Sequence, residues 1–208
     1  MRVIGGELRG RHLEAPEGIA TRPMLDRVRE SLFATLVPWL PGAVVLDLFA
    51  GSGSLGIEAL SRGARHARFV ERSPRALDCL KANLAELGLL EKSAVVRGNA
   101  LSRATWGEEP LDVVFLDSPY PLLQEKRDRA AIFRAIEVLA REHLAPEGVL
   151  VFHGPHRGVF AFEFGKGLVL RERAYGTNAL WYVQREEPGA RALDETSSPD
   201  GGSSNGDR

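Results

Sequence analysis

LDLFAGSGSLG, residues 46–56, ends an apolar run typical of a buried parallel strand, and this stretch decides the fold. An acid, Asp47, lies at the predicted strand end. Three glycines follow it before a helix begins, at Gly51, Gly53 and Gly56. Glycine lets the backbone approach a ligand closely, and a helix N-terminus presents free N–H groups to it. The stretch therefore predicts a cofactor loop between a strand and a helix of an α/β sheet.

Two cofactors fit this loop, because the same glycines satisfy the G-x-G-x-x-G pattern of dinucleotide-binding folds. Asp47 favours S-adenosylmethionine, since a carboxylate opposes a pyrophosphate but attracts an ammonium group. Glu71 ends the predicted strand HARFVE (66–71), where it can accept hydrogen bonds from two ribose hydroxyls of either cofactor. We expect both carboxylates to face ligand or solvent. A glycine turn that binds nothing is the remaining alternative.

A second strand end, LDSPY at residues 116–120, carries a different chemistry. The exocyclic amine of guanine or adenine is a poor nucleophile because its lone pair is delocalised into the ring. Accepting its hydrogens favours the pyramidal nitrogen of the transition state. Asp117 and the Ser118 carbonyl supply two acceptors. Pro119 stiffens the turn, and Tyr120 can stack on the base, a contact worth about 1 to 3 kcal/mol. An ordinary Asp-Ser-Pro turn would look the same.

The rest of the chain alternates strand and helix, as a parallel sheet requires. The pattern predicts an N-terminal hairpin over 2–14, a helix from Asp26 with Leu25 in its core stripe, and a helix from Ser73 that ends at Gly88. Strands are predicted near 43–48, 66–71, 93–97, 112–117 and 148–153, and a closing antiparallel pair near 167–174 and 179–184.

Between the third strand and the next segment lies VVRGNA, residues 95–100. In a sheet wound in the usual way, Asn99 can bond a cofactor adenine amine and the Ala100 N–H can meet a ring nitrogen. Asn99 as an ordinary polar loop residue is the alternative. The predicted cofactor site is completed by neighbours of the two strand ends, namely Phe49, Ser52 and Arg72.

These motifs resemble the bacterial 16S ribosomal RNA (guanine(966)-N(2))-methyltransferases. The resemblance rests on LDLFAGSG and the LDSPY box, on an RG-rich N-terminus, on TRPMLDRVRESLF (21–33) and on GIEALSRGA (56–64). It implies a Rossmann-like α/β fold with a seven-stranded methyltransferase sheet, extended by an N-terminal β-hairpin and helix. It also implies methyl transfer from S-adenosylmethionine to the N2 amine of one guanine in 16S ribosomal RNA. Ser118 departs from the family's box, which has proline there.

An adenine-N6 methyltransferase and a catalytically weak RNA-binding assembly factor remain alternatives to this function. Arginines concentrate near the N-terminus, and guanidinium groups suit phosphate contacts and base stacking. A solvated helix face would have a similar composition. The resemblance favours RNA contact, and the candidate residues are Arg9, Arg11, Arg22 and Arg27. The expected partner is 16S ribosomal RNA or the small ribosomal subunit.

Composition divides the chain into three parts: an extension over 1–40, a methyltransferase domain over 41–185 and an acidic tail over 186–208. The first two parts together carry 25 basic and 22 acidic residues, whereas the tail carries six acids and two arginines. The tail has the composition of a disordered segment. We expect a cytoplasmic protein, because the chain has no long apolar run and no signal-peptide pattern. A monomer is a separate expectation. His153 and His156 lack a third soft ligand, so no metal is expected.

Overall fold

The computed structural model describes residues 1–16, 24–156 and 167–186. Five α-helices lie in these residues: α1 (Asp26–Leu36), α2 (Ser54–Ser61), α3 (Pro74–Glu86), α4 (Tyr120–Gln124) and α5 (Lys126–Val138). The seven strands are β1 (Val44–Leu48), β2 (His66–Glu71), β3 (Ser93–Arg97), β4 (Leu111–Leu116), β5 (Leu144–Pro155), β6 (Leu168–Tyr175) and β7 (Asn178–Arg185). Short 3₁₀ turns lie at Leu90–Lys92 and Arg103–Thr105, and a π turn lies at Leu139–His143.

All seven strands form one sheet in the order β3-β2-β1-β4-β5-β7-β6. Strands β1 to β5 are parallel, and β7 runs antiparallel to both of its neighbours. The chain reverses its direction of winding between β1 and β4, which is where open α/β sheets bind their ligands. The predicted Rossmann-like fold with its closing antiparallel pair is therefore confirmed. Strand β5 begins at Leu144, four residues before its predicted start.

Apolar side chains cover both faces of the sheet. One face packs on the N-terminal segment, α1, α2 and α3, and its core includes Leu32, Phe33 and Phe69. The other face packs on α5 and includes Ile132 and Ile136. Because Val3 and Leu13 belong to the first core, the N-terminal segment is built into the same hydrophobic core as the sheet.

The ends of α1 and α3 follow the predicted signals, but one residue predicted in the core stripe of α1 is exposed. The Ser73 hydroxyl accepts a hydrogen bond from Ala76 N at 3.5 Å, and Gly88 takes a φ of +69° just after α3. Helix α1 begins at Asp26 as predicted, but Leu25 precedes its first turn and is 66% exposed. The expectation that Leu25 lies in the core stripe is wrong, since an N-cap residue lies outside the helical repeat.

The predicted hairpin is a chain reversal with a single antiparallel bridge, between Arg2 and His12. Backbone bonds cross the reversal, such as Val3 N to Arg11 O at 3.0 Å, and further backbone groups bond to α2. Ile4 N and Gly5 N donate to the Glu58 carboxylate of α2 at 2.7 and 2.8 Å, and Leu8 N donates to Ser61 Oγ at 3.0 Å. These bonds dock the loop on α2 in addition to the bonds across the reversal.

Helix α3 holds the end of the same segment. Glu14 N donates to Asn83 Oδ1 at 2.8 Å, and Asn83 Nδ2 donates back to the Glu14 carbonyl at 3.1 Å. The Cys79 thiol also donates to that carbonyl. Burial raises the pKa of the Cys79 thiol, which favours the packing role predicted for this residue over a nucleophilic one.

Candidate active site

The loop after β1 leaves the sheet through a residue in the left-handed region, Phe49, at a φ of +60°. Gly51 and Gly53 follow with φ values of +56° and +84°. A Cβ on Gly51 would meet only the Phe49 carbonyl oxygen, at 4.0 Å, so the loop is open to a ligand on that side. A Cβ on Gly56 would lie 2.3 Å from Phe69, so this glycine serves close packing of α2 on the sheet.

Asp47 is buried, so the expectation that it faces solvent is wrong, and its contact with the cofactor stays a prediction. Its side chain lies on the covered face of β1, and the residue is 2% exposed. Oδ2 accepts a hydrogen bond from Gly56 N at 2.9 Å, which ties β1 to the start of α2. Burial raises the pKa of Asp47 well above its ordinary value, and the charges of Asp117 and Glu71 raise it further.

Glu71 lies beside the glycine loop at the end of the neighbouring strand. One carboxylate oxygen accepts from Gly51 N at 2.9 Å, and the other accepts from Arg72 N and Ser73 N, both at 2.8 Å. A carboxylate has about four acceptor positions, so one remains after these three bonds. The geometry brings the two predicted cofactor motifs together, and ribose binding by Glu71 stays a prediction.

The other predicted cofactor residues surround these two strand ends. Gly98 N donates to the Glu71 carbonyl, which places the loop after β3 next to β2. Asn99 is exposed there, and Ala100 is buried with its carbonyl bonded to Trp106 Nε1. Ser52 is buried, whereas Arg72 is exposed.

The LDSPY box occupies the end of β4, next to β1. Leu48 pairs with Leu116, so Asp117 follows β4 at the level where Phe49 follows β1. The Asp117 side chain is 33% exposed. Ser118 is buried at 7%, and its Oγ has no hydrogen-bond partner among the described residues.

Pro119 and Tyr120 complete the box at the start of α4. Pro119 is the N-cap residue of this helix, and Tyr120 is its first residue. Tyr120 is 51% exposed, so an aromatic ring three residues after Asp117 is open to solvent. The end of β4 thus presents an acceptor and a stacking surface on the same side of the sheet edge as the glycine loop.

Sequence reasoning did not place His153 in this site. The residue ends the strand predicted near 148–153, and in the structure it lies in β5, where its Nδ1 is 2.9 Å from Asp117 Oδ1. The signal was the parallel register: Leu116 pairs with Phe152, so the next residues of the two strands face each other. Among the described residues, no group of three metal-ligating side chains exists at this site or elsewhere.

Three of the four candidate RNA-contacting arginines lie in the described residues. Arg9 and Arg11 are exposed on the docked N-terminal loop, and Arg11 reaches the Glu86 carbonyl at 3.3 Å. Arg27 is exposed on α1. Arg22 and nearly all of the predicted acidic tail lie outside the described residues. Of the helices in the described residues, none is both long and apolar enough to span a membrane.

Fold and site together define a class: a Rossmann-like α/β protein with the seven-stranded sheet of methyltransferases. A family model described as "Conserved hypothetical protein 95" matches residues 1–184. The chain is 47% identical over 189 residues to "Putative rRNA methyltransferase YlbH" of Bacillus subtilis (strain 168), covering 89% of this chain and 100% of that protein. It is 44% identical over 120 residues to "Ribosomal RNA small subunit methyltransferase D" of Escherichia coli (strain K12), covering 58% of this chain and 60% of the relative.

A solved structure agrees with these sequence relatives. "Putative methyltransferase yhhF" from Escherichia coli superposes with a TM-score of 0.75 at 35% identity, covering 89% of this chain and 98% of that chain. The chain belongs to the conserved hypothetical protein 95 family, and its resemblance to the 16S ribosomal RNA methyltransferases is confirmed.

Proposed function

We propose that this protein transfers a methyl group from S-adenosylmethionine to the exocyclic N2 amine of guanine 966 in 16S ribosomal RNA. The observation that carries the proposal is the Asp117 carboxylate, exposed at the sheet edge one strand away from the glycine loop. The names of the relatives support ribosomal RNA as the substrate. A ribosomal substrate also places the protein in the cytoplasm.

The residues present fit S-adenosylmethionine better than a dinucleotide. In a dinucleotide site, the amides of the first glycines bind pyrophosphate. Here the Gly51 N–H donates its hydrogen bond to the Glu71 carboxylate, and an acid in that position repels a phosphate. The open side of Gly51, the fourth acceptor position of Glu71 and the exposed Asn99 are the groups that we assign to the cofactor. Asp47 acts indirectly, by holding the loop to α2.

When bound, S-adenosylmethionine supplies an activated methyl group: the amine nitrogen forms the bond to carbon, and the carbon–sulfur electron pair stays on sulfur. The protein must hold the base so that its amine lies in line with that bond, and positioning supplies most of the catalysis. Asp117 and the Ser118 carbonyl accept the two amine hydrogens, and Tyr120 stacks on the ring. After transfer, the surplus proton on nitrogen passes to Asp117 and then to water.

A product analysis tests the proposal. The purified protein is incubated with methyl-labelled S-adenosylmethionine and 16S ribosomal RNA from an Escherichia coli strain that lacks methyltransferase D. We expect the label in N2-methylguanosine after digestion to nucleosides. Label in N6-methyladenosine would support the adenine alternative, and RNA binding without label would support the assembly factor; either outcome would overturn the proposal.

The cofactor assignment is tested by calorimetry. Glu71→Ala should weaken S-adenosylmethionine binding by about 1.5 to 3 kcal/mol, the value of a hydrogen bond to a charged group. Asp117→Ala should leave that affinity unchanged while it lowers the single-turnover rate, because its acceptor acts on the RNA amine. Tighter binding of NAD than of S-adenosylmethionine would contradict the assignment.

A further inference from the structure

The pair formed by His153 and Asp117 extends the site beyond the LDSPY box. Nδ1 of His153 lies 2.9 Å from Oδ1 of Asp117, and the two side chains are 20% and 33% exposed. An ionised carboxylate only accepts hydrogen bonds, so in this pair Nδ1 carries the hydrogen. One of the two acceptor positions of Oδ1 is therefore filled, whereas Oδ2 keeps both of its positions for a substrate.

The strand register fixes this arrangement. His153 lies in β5 between two neighbours, β4 and β7, and pairs with Leu180 on β7. The ladder with β7 holds the backbone of His153, and Phe152 before it pairs with Leu116 at the end of β4, so the imidazole starts from a fixed point of the sheet. Asp117 lies just past the end of β4 and gains its orientation from this contact.

Few other charges face the imidazole from the described elements packed around it. On β6, Arg173 pairs with Leu180, the residue of β7 that pairs with His153. The Arg173 guanidinium donates to Thr35 Oγ1 of α1 at 2.7 Å. On the other side, past Asp117, the same face of the sheet edge carries the acids Asp47 and Glu71. Asp117 is the titratable group in direct contact with His153.

We propose that His153 is the positioning residue for Asp117: its Nδ1–H holds Oδ1 so that Oδ2 accepts the target amine, and its protonation in acid slows methyl transfer. The inference rests on the proposed function, because the amine is the substrate group assigned there. During transfer, positive charge develops on the amine nitrogen and its proton then goes to Oδ2. Beside a neutral imidazole, the negative charge of Asp117 stabilises the positive charge on the amine nitrogen in full. An imidazolium would be a second positive charge and would compete with the amine for the Asp117 carboxylate.

Histidine changes its charge between about pH 5 and 8, so the pH profile separates this role from a merely structural one. The single-turnover rate of the parent protein on a 16S RNA hairpin should be lower in acid than at pH 8. His153→Asn keeps an N–H donor near the position of Nδ1 but does not titrate. This variant should keep the parent's rate at pH 8 to within about twofold, and its rate should not fall at acid pH.

A second variant removes the donor. His153→Ala should lower the rate at pH 8 by about tenfold, the effect of one lost hydrogen bond, with unchanged affinity for S-adenosylmethionine. His156→Asn is the matched control, because His156 makes a similar 2.9 Å pair with Glu172 on the same strand. The control should keep both the rate and the pH profile of the parent.

Nitrogen NMR of the imidazoles in the RNA-free protein gives a readout independent of activity. The His153 signals, identified by their loss in His153→Asn, should be those of the Nδ1–H tautomer. An Nε2–H tautomer, a parent-like rate in His153→Ala, or a rate that still falls at acid pH in His153→Asn would each overturn the inference. A parent protein that methylates no RNA would instead overturn the proposed function, and this inference with it.

Discussion

Asp47 and Ser118 are buried polar residues at the candidate site, one within β1 and one just past the end of β4. Asp47 accepts one backbone hydrogen bond in a setting that disfavours its charge. Ser118 has a buried hydroxyl without a partner among the described residues. Buried polar groups cost stability unless they are satisfied, so each makes a testable prediction.

Asp47 should make stability depend on pH. Its pKa is raised in the folded protein above the ordinary value of 3.8, so the native state holds its proton more tightly than the unfolded chain does. The contribution of Asp47 to stability is therefore lost as pH rises from about the unfolded value through the folded one. Asp47→Asn removes this titration.

We expect the difference in unfolding free energy between Asp47→Asn and the parent protein to shift in favour of the variant as pH rises above 3.8. Urea unfolding at a series of pH values measures this difference. A difference that stays constant with pH, or shifts in favour of the parent, would show that the Asp47 carboxylate is not held in its neutral form by burial.

Ser118 should be replaceable by the proline that the family's box contains. Ser118→Pro removes the unpartnered hydroxyl and stiffens the unfolded chain, which stabilises a protein by about 0.4 to 1 kcal/mol where the backbone fits. We expect that gain, with a methylation rate raised severalfold at most. Ser118→Ala is the control, since it removes the hydroxyl without stiffening the chain. Lost activity in Ser118→Pro alone would mean that the box needs the freedom or the N–H of serine.

At the scale of elements, the N-terminal loop depends on one buried carboxylate. The Glu58 side chain is 1% exposed, accepts from Ile4 N and Gly5 N, and pairs with Arg62 Nε at 2.7 Å. Removing it leaves two backbone amides without their partner, and each orphaned buried group costs about 1 to 3 kcal/mol. Glu58 lies in the motif GIEALSRGA (56–64), so this motif supplies the carboxylate that binds the N-terminal loop.

Glu58→Ala should therefore lower the unfolding free energy by at least about 1 kcal/mol and speed hydrogen exchange at Ile4 and Gly5. Glu137→Ala is the matched control, because Glu137 pairs with Arg141 at the same i,i+4 spacing on an exposed surface. The control should change stability by less than about 1 kcal/mol. Equal effects of the two substitutions would contradict the docking role of Glu58.

Local signals in the sequence predicted most elements. Apolar runs for the strands, helical spacing of apolar residues, the Ser73 cap and the Gly88 stop place strands and helices to within a few residues. Contacts between distant segments were not predictable in this way. The Glu58 bonds span 53 and 54 residues, and the His153 contact requires the register of β4 with β5. The burial of Asp47 was missed because the strand pattern does not show which face α2 covers.

For the whole molecule, the sheet separates two surfaces, one on each of its faces. The docked N-terminal loop with Arg9 and Arg11 belongs to the sheet face that carries α1, α2 and α3. Helix α5 covers the other face and exposes Arg134 there. If RNA binds on the N-terminal side, basic residues on the two faces must contribute differently to its affinity.

Arg9→Ala and Arg11→Ala should each weaken RNA binding and reduce the steepness of its salt dependence. Each lost phosphate contact lowers the slope of log K against log salt by about 0.7 for single-stranded nucleic acid. Arg134→Ala is the control on the opposite face and should leave the slope unchanged. Titrations of a 16S RNA hairpin at several salt concentrations measure the slopes, and equal slopes in all three variants would place the RNA elsewhere.

Inosine substitution tests the central claim most directly, because inosine is guanosine without its exocyclic N2 amine. A 16S RNA hairpin with guanosine at position 966 is compared with the same hairpin carrying inosine there, using labelled S-adenosylmethionine and equal RNA concentrations. We predict that the guanosine hairpin is methylated and that the inosine hairpin binds but takes up no label. Equal labelling of both hairpins would contradict the account, since the methyl group would then be on an atom other than the amine assigned to Asp117.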